Sequence, residues 1–378
     1  MLRRLVSQAV YSRWTSSMLR FISPAILAGF LVTFGAVPLV AAPSTEAKAV
    51  EPAPSTSGAR APVYSVVKTV KGDSQSGWLN ATSINDAGEM CGAMIGTPVG
   101  YGVIVSPESN VPDQLSPGPC GAMQVNKDGV CVGVANSQAA AWRSGKLKYF
   151  NLPHGYPVSA ARAINEYGRI VGTVVDGNGI ATPFVRATDG TVHLLKLPAG
   201  YESGEAMSIN RAGDIVGTCD KKVGGKQFEC VCVWADGVAT PRVLKTPNGE
   251  SCRGCKINNV GDVLGVWTVS DTEWRGCVWK SGEFVDIGAF PNSHQGNVAD
   301  MNDAGDVVGW FDGTLPYLWH AGHLYKLQDL VVPKMSWGIS AAKAINNRGE
   351  IVAEGGEEGG GKVLEYTVVL RPVRQAPQ

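Results

Sequence analysis

Short apolar runs broken by turn residues recur from Tyr64 almost to the end of the chain, and one phrase recurs with them. It is clearest as ARAINEYGRIVG at 161–172. An apolar residue precedes an Asn, two variable residues separate that Asn from a Gly, and a small apolar pair follows. The Asn/Gly pairs are Asn85/Gly88, Asn126/Gly129, Asn165/Gly168, Asn210/Gly213, Asn258/Gly261, Asn302/Gly305 and Asn346/Gly349. Successive asparagines stand 39 to 48 residues apart.

The phrase predicts strand, turn, strand. Asn at the first position and Gly at the fourth suit a type I turn, because the Asn side chain can bond the backbone just ahead of it. The Gly takes positive φ and restores the twist of the returning strand. Asp86, Asp303 and Asp306 raise the alternative of a calcium loop. Such a loop needs alternating oxygen ligands and a closing carboxylate, which most copies lack. No metal is expected in these turns.

Each repeat has a second half. An apolar strand ends in Trp and turns at a Gly three residues later, as in Trp142/Gly145, Trp234/Gly237, Trp279/Gly282 and Trp319/Gly322. Arg186 replaces the Trp in the third repeat, and the first repeat is degenerate there. A short last strand follows, for example at 146–152. Four strands in this period predict an all-β fold, a seven-bladed β-propeller of four-stranded blades. The seventh repeat lacks its fourth strand, whereas Tyr64–Val70 is a strand with no hairpin before it. The N-terminal strand is therefore expected to complete the last blade and close the ring.

The phrase ending in Val-Val-Gly, with its following Trp-x-x-Gly strand, resembles the HAF-type extracellular repeat of bacterial proteins over roughly residues 63–371. The His-Ala-Phe triplet that names the family is degenerate here: Gln138-Ala139-Ala140, Thr182-Pro183-Phe184 and Cys230-Val231-Cys232 stand at its place. The resemblance implies the fold and export, and little about activity.

Composition narrows the function classes. The chain has 378 residues, 47 Gly, 22 Pro, 17% charged residues and a formal net charge of zero. Balanced charge carries no nucleic-acid footprint, which needs a basic stripe. Residues 1–42 place Arg3, Arg4, Arg13 and Arg20 before an apolar run from Phe21 to Ala42, the pattern of a secretory signal peptide or an uncleaved N-terminal anchor. Contact with a membrane is expected only through that segment. Residues 43–62 are a Pro/Ser/Thr/Ala-rich flexible linker. The propeller spans 63–372, and 373–378 form a tail.

Motif chemistry is sparse. Nine Cys are present. Cys232 and Cys277 sit two residues before Trp and read as core fillers. Cys219 and Cys230 flank the loop between the second and third strands of the fourth blade and are the disulfide candidates. Cys252 and Cys255 form a lone CxxC without the second pair zinc needs. The run at 355–362 resembles a phosphate loop, but Val363 stands where Ser or Thr is required. The five His show no ligand spacing, and His320 and His323 are expected to be solvated. No cofactor is implied.

The loops that lead into each hairpin differ in length and carry Trp78, His154, Tyr156, Tyr201, His294 and Trp337. Strand order gathers them on one face, with the Asn-x-x-Gly turns on the other. Varied loops on a rigid scaffold are where binding groups sit. These six are the candidate ligand-binding residues, unless Trp78 and Trp337 only pack between blades. The reading is an exported, monomeric binding or scaffold module for an extracellular glycan or protein. The rival is a propeller hydrolase or lyase acting on polysaccharide, for which Glu202, Glu205 and Asp73 are isolated candidate acids.

Overall fold

The computed structural model describes residues 61–373 apart from 74–76, 98–99, 225, 239 and 360–361. The expected export segment at 1–42, the expected linker up to residue 60 and the tail beyond residue 373 lie outside the described residues. Seven four-stranded antiparallel sheets make up the described chain, with one helical turn at Leu327–Leu330 among those residues. The fold is a seven-bladed β-propeller. In blade 1, strands Trp78–Ile84, Met90–Ile95, Tyr101–Val105 and Asp113–Gln114 run in order from the inner strand to the outer. Blades 2 to 6 repeat this order.

Blade 7 closes the ring as the sequence implies. Its inner strands are Gly338–Ile345, Ile351–Gly359 and Lys362–Pro372, and Tyr64–Asp73 is its outer strand. The register runs from Tyr64 opposite Pro372 to Asp73 opposite Leu364. Lys68 of the closing strand also donates to the Ser106 carbonyl of blade 1. A separate apolar core fills each junction between neighbouring blades. Val70, Leu79 and Met90 meet Val352 and Val369 where blade 7 joins blade 1. Trp142, Trp234 and Trp279 are buried, and each indole N–H reaches back to the preceding blade, at Ser116 Oγ, Lys196 O and Lys245 O. Arg186, which replaces this Trp in blade 3, lies over the Phe150 ring at 5.0 Å.

The Asn-x-x-Gly turns have the expected geometry. Gly168, Gly213 and Gly305 have φ of 84°, 97° and 82°. In the blade 3 turn, Gly168 N donates to Asn165 O at 3.1 Å, and Asn165 Oδ1 accepts from Tyr167 N and Arg169 N. The seven asparagines also do something that the turn alone does not require. Each Nδ2 donates to the backbone carbonyl of the equivalent Asn in the next blade: Asn85 to Asn126, then on to Asn165, Asn210, Asn258, Asn302 and Asn346. Asn346 donates to Asn85 at 3.0 Å and the circle closes.

Every inner strand carries a β-bulge at one equivalent position: Thr82, Met123, Arg162, Met207, Cys255, Ala299 and Lys343. Beside the bulge, the inner strand's carbonyl is pressed against the second strand. A Cβ on Gly92, Gly133, Gly172, Gly217 or Gly309 would overlap the carbonyl of Asn80, Gly121, Ala160, Glu205 or Asn297 respectively. This accounts for the Gly that ends the phrase. Blade 7 has Ala353 there. A second bulge at Ser340 moves the close approach to Gly355, whose Cβ would strike the Gly338 carbonyl.

Two predictions follow from this geometry. Gly172→Ala should cost upwards of about 2 kcal/mol through steric overlap. Gly168→Ala, at positive φ but with open space around it, should cost about 1 kcal/mol. Urea midpoints in the reverse order would show that the close approach is not limiting. Asn165→Ala leaves two turn N–H groups without their acceptor and removes the bond to Asn210. It should cost about 1–3 kcal/mol, measured the same way.

Candidate functional site

Strand direction divides the molecule into two faces. Inner strands run from a loop face to a turn face, where both the Asn-x-x-Gly and the Trp-x-x-Gly turns lie. On the turn face the channel opens into a cavity of about 140 Å³ lined by six of the seven asparagines, all but Asn210, and by the residue after each of the seven. Those next residues form a second belt. Arg211 pairs with Glu166 at 2.7 Å, and its N–H donates to Asn259 Oδ1. Asn259 donates twice to Asp303, Asp303 N donates to Asn347 Oδ1, and Asn347 donates twice to Asp86. One level deeper, Ile164 N donates to Gln124, Ile345 N donates to Asp300, and Lys256 pairs with Asp300 at 2.8 Å. The polar atoms of this mouth are turned on one another, which suits a fastening more than a receptor.

The six candidate loop residues all lie on the loop face, but they are spread around the rim over blades 1, 3, 4, 6 and 7. Trp78 is half-buried at the start of its inner strand, its ring against Gly96. His154 is exposed, whereas Tyr156 packs on the core between blades 2 and 3. Tyr201 packs between blades 3 and 4, with Lys221 Nζ 5.2 Å from its ring centre. Burial and the Cys230 thiol raise its phenol pKa. His294 is exposed; its backbone accepts from Trp274 N, and its own N–H donates to Asp312 Oδ1. Trp337 is half-buried and stacks on Tyr366, with ring centroids 4.8 Å apart and planes 21° from parallel.

That stack belongs to a group of residues that the sequence did not bring together. The second and third strands of blade 7 have nine and eleven residues, and those of blade 4 have nine each. In the other blades these strands have five to eight, as in blades 2 and 5. The blade 7 hairpin therefore overhangs the loop face. On one side of it lie Trp337 and Tyr366, whose hydroxyl donates to Glu357 Oε1 at 2.8 Å. On the other side Glu354 accepts from Ala81 N of blade 1 at 2.9 Å and pairs with Lys343 at 3.7 Å. Lys343 Nζ is 5.7 Å from the Trp310 ring centre. Burial and the Glu354 charge push Glu365 up to about 7. Burial also raises Glu354, against the pull of Lys343. The run at 355–362, once the phosphate-loop likeness is set aside, reads as a mobile loop in the sequence. Its first residues are instead strand, with Gly355 opposite Tyr366 and Gly356 opposite Glu365.

Two other expectations change in detail. Cys219 and Cys230 are direct cross-strand partners within a ladder that continues to Val223 opposite Lys226, so they do not flank a loop. Both are free thiols in the structure, and a hydrogen bond between the Cys219 and Cys232 thiols, together with burial, raises the Cys219 pKa. His320 is not simply solvated; its Nδ1 meets Asp306 Oδ1 at 2.7 Å. Of the isolated acids, Glu205 pairs loosely with Arg162 at 3.8 Å and Glu202 with Lys222 at 3.5 Å. Among the described residues, no three His, Cys, Asp or Glu side chains converge in a way that could hold a metal ion.

No family model matches the chain, and no curated protein matches it. Solved structures match over most of its length. An oligogalacturonate lyase in complex with manganese aligns with TM-score 0.54 at 10% identity, covering 80% of this chain and 90% of that one. A virginiamycin B lyase from Staphylococcus aureus aligns with TM-score 0.50 at 12% identity, covering 79% and 99%. A prolyl endopeptidase structure aligns with TM-score 0.52 at 12% identity, covering 81% of this chain and 51% of that one. At these identities the likeness is one of fold.

Glu365 sets a pH dependence. Its folded pKa of about 7 lies above its ordinary 4.5, so between those values the folded chain holds a proton that the unfolded chain has released. Stability from this group is complete below that window and is lost as pH rises through it. Glu365→Gln stays neutral, so its melting temperature should gain on the wild type between pH 5 and pH 8. A constant difference across that range would show that the carboxyl is not perturbed.

Proposed function

We propose that the protein is an exported binding module that takes its ligand on the loop face of blades 6 and 7. The observation that carries this reading is the contrast between the faces. Most polar side chains of the turn-face mouth are paired with one another, in a belt from Glu166 through Arg211, Asn259, Asp303 and Asn347 to Asp86. Beside the blade 7 hairpin a half-buried Trp337–Tyr366 stack, packed on the core between blades 6 and 7, has the Glu357 carboxylate at its edge. Aromatic surface beside a hydrogen-bonding group supplies contact area with little entropy loss on binding. Export is read from the arginines and apolar run of residues 1–42 and from the likeness to the HAF-type extracellular repeat.

A second reading, a hydrolase or lyase acting on polysaccharide, draws on Glu365. A carboxyl near neutrality beside a second carboxyl, Glu354, has the pKa of a general acid or base. Turnover of a polysaccharide panel that disappears in Glu365→Gln would favour it.

The binding reading is tested by retention of the purified protein on glycan and peptide arrays. Trp337→Ala should lower retention by about tenfold, the scale of one lost ring contact. Tyr167→Ala and Val260→Ala, at exposed tips of the turn face, should leave retention unchanged. The opposite pattern would move the site to the turn face.

A further inference from the structure

We infer that the blade 7 ledge is a carbohydrate subsite that stacks an uncharged or amino-bearing pyranose ring on Trp337 and hydrogen-bonds its hydroxyl edge through Glu357. The inference rests on the binding-module reading and names its ligand class. Three features select the occupant.

The first is flatness. Trp337 is held nearly parallel to Tyr366, 4.8 Å away, and lies against Gly355, where a Cβ would meet the indole ring. An indole fixed in this way offers a rigid plane. A pyranose has one flat C–H face that matches such a plane, and stacking of this kind costs little rotamer entropy. The second is the acceptor at the rim. Glu357 Oε1 accepts a hydrogen bond from the Tyr366 hydroxyl at 2.8 Å. A carboxylate has about four acceptor positions, so it can still receive sugar hydroxyls lying at the ring edge. The third is charge. The carboxylate on the Trp337–Tyr366 side of the hairpin is Glu357. A polyuronate would meet like charge there, whereas a neutral or amino sugar would not.

The test titrates the full chain with chitohexaose, its deacetylated cationic counterpart and hexagalacturonate, followed by calorimetry. The first two should bind, and hexagalacturonate should bind at least about tenfold more weakly. Trp337→Ala should reduce affinity about tenfold. Trp337→Phe, which keeps a flat ring in the same packing, should retain part of it. Glu357→Gln and Tyr366→Phe, which leave the stack in place, should each weaken binding about threefold to tenfold. Absence of binding by both chito-oligosaccharides at millimolar concentration overturns the inference. So does unchanged affinity in Trp337→Ala, or hexagalacturonate binding as tightly as chitohexaose. If array peptides are held through Trp337 and no saccharide is, the carbohydrate assignment falls and the binding-module reading stands. If Trp337→Ala changes retention of nothing, both fall.

Discussion

The circle of asparagine amides at the neck of the channel is the constraint on which the rest of the fold depends. Apolar cores between blades are non-directional and would tolerate a range of blade tilts. The amides are directional. Each Asn Oδ1 shapes its own turn, and each Nδ2 sets the distance to the next blade. One side chain therefore fixes both the hairpin and the pitch of the ring. The last step, Asn346 to Asn85 at 3.0 Å, is as short as the first, at 2.9 Å, so seven steps complete the circle without a gap. Neither Asp nor Ser could replace Asn: Asp has no donor, and a Ser hydroxyl has one donor on a shorter arm. The closing junction is fastened a second time at its rim by the N-terminal strand and Lys68.

Periodicity made the architecture legible. The Asn, the Gly three residues on and the Trp of the third strand are local signals, and a missing strand at one end matched an extra strand at the other. The Asn circle was not legible, because successive partners stand 39 to 48 residues apart, the closing pair 261 apart, and nothing local requires the contact. The bulge was hidden for the same reason. Its trace, the Gly that ends the phrase, is plain in the sequence, but its cause is a carbonyl on the facing strand.

The candidate site was half legible. An aromatic at the mouth of an inner strand pointed to Trp337. Tyr366 and Glu357 were missed because a run of glycines and glutamates reads as a loop, whereas pairing with a long third strand holds its first residues extended. Propensity gave way there to tertiary pairing. The same effect hid the true setting of Cys219 and Cys230, whose ladder extends four residues beyond them.

Sevenfold regularity and a specific site are in tension, since a repeat identical in every blade has no distinct place to bind anything. Blade 7 departs from the common pattern. Ala353 stands where the other blades have a small, closely approached Gly, and a second bulge at Ser340 shifts the contact to Gly355. That same Gly355 lies beneath Trp337 and opposite Tyr366, so the displaced bulge and the aromatic ledge share one residue. The next position inward is Glu354, which reaches across to Ala81 of blade 1. A bulge is a means of re-aiming side chains next to functional sites. Here an additional one sets apart the blade that carries the Trp337–Tyr366 stack and the raised Glu354 and Glu365.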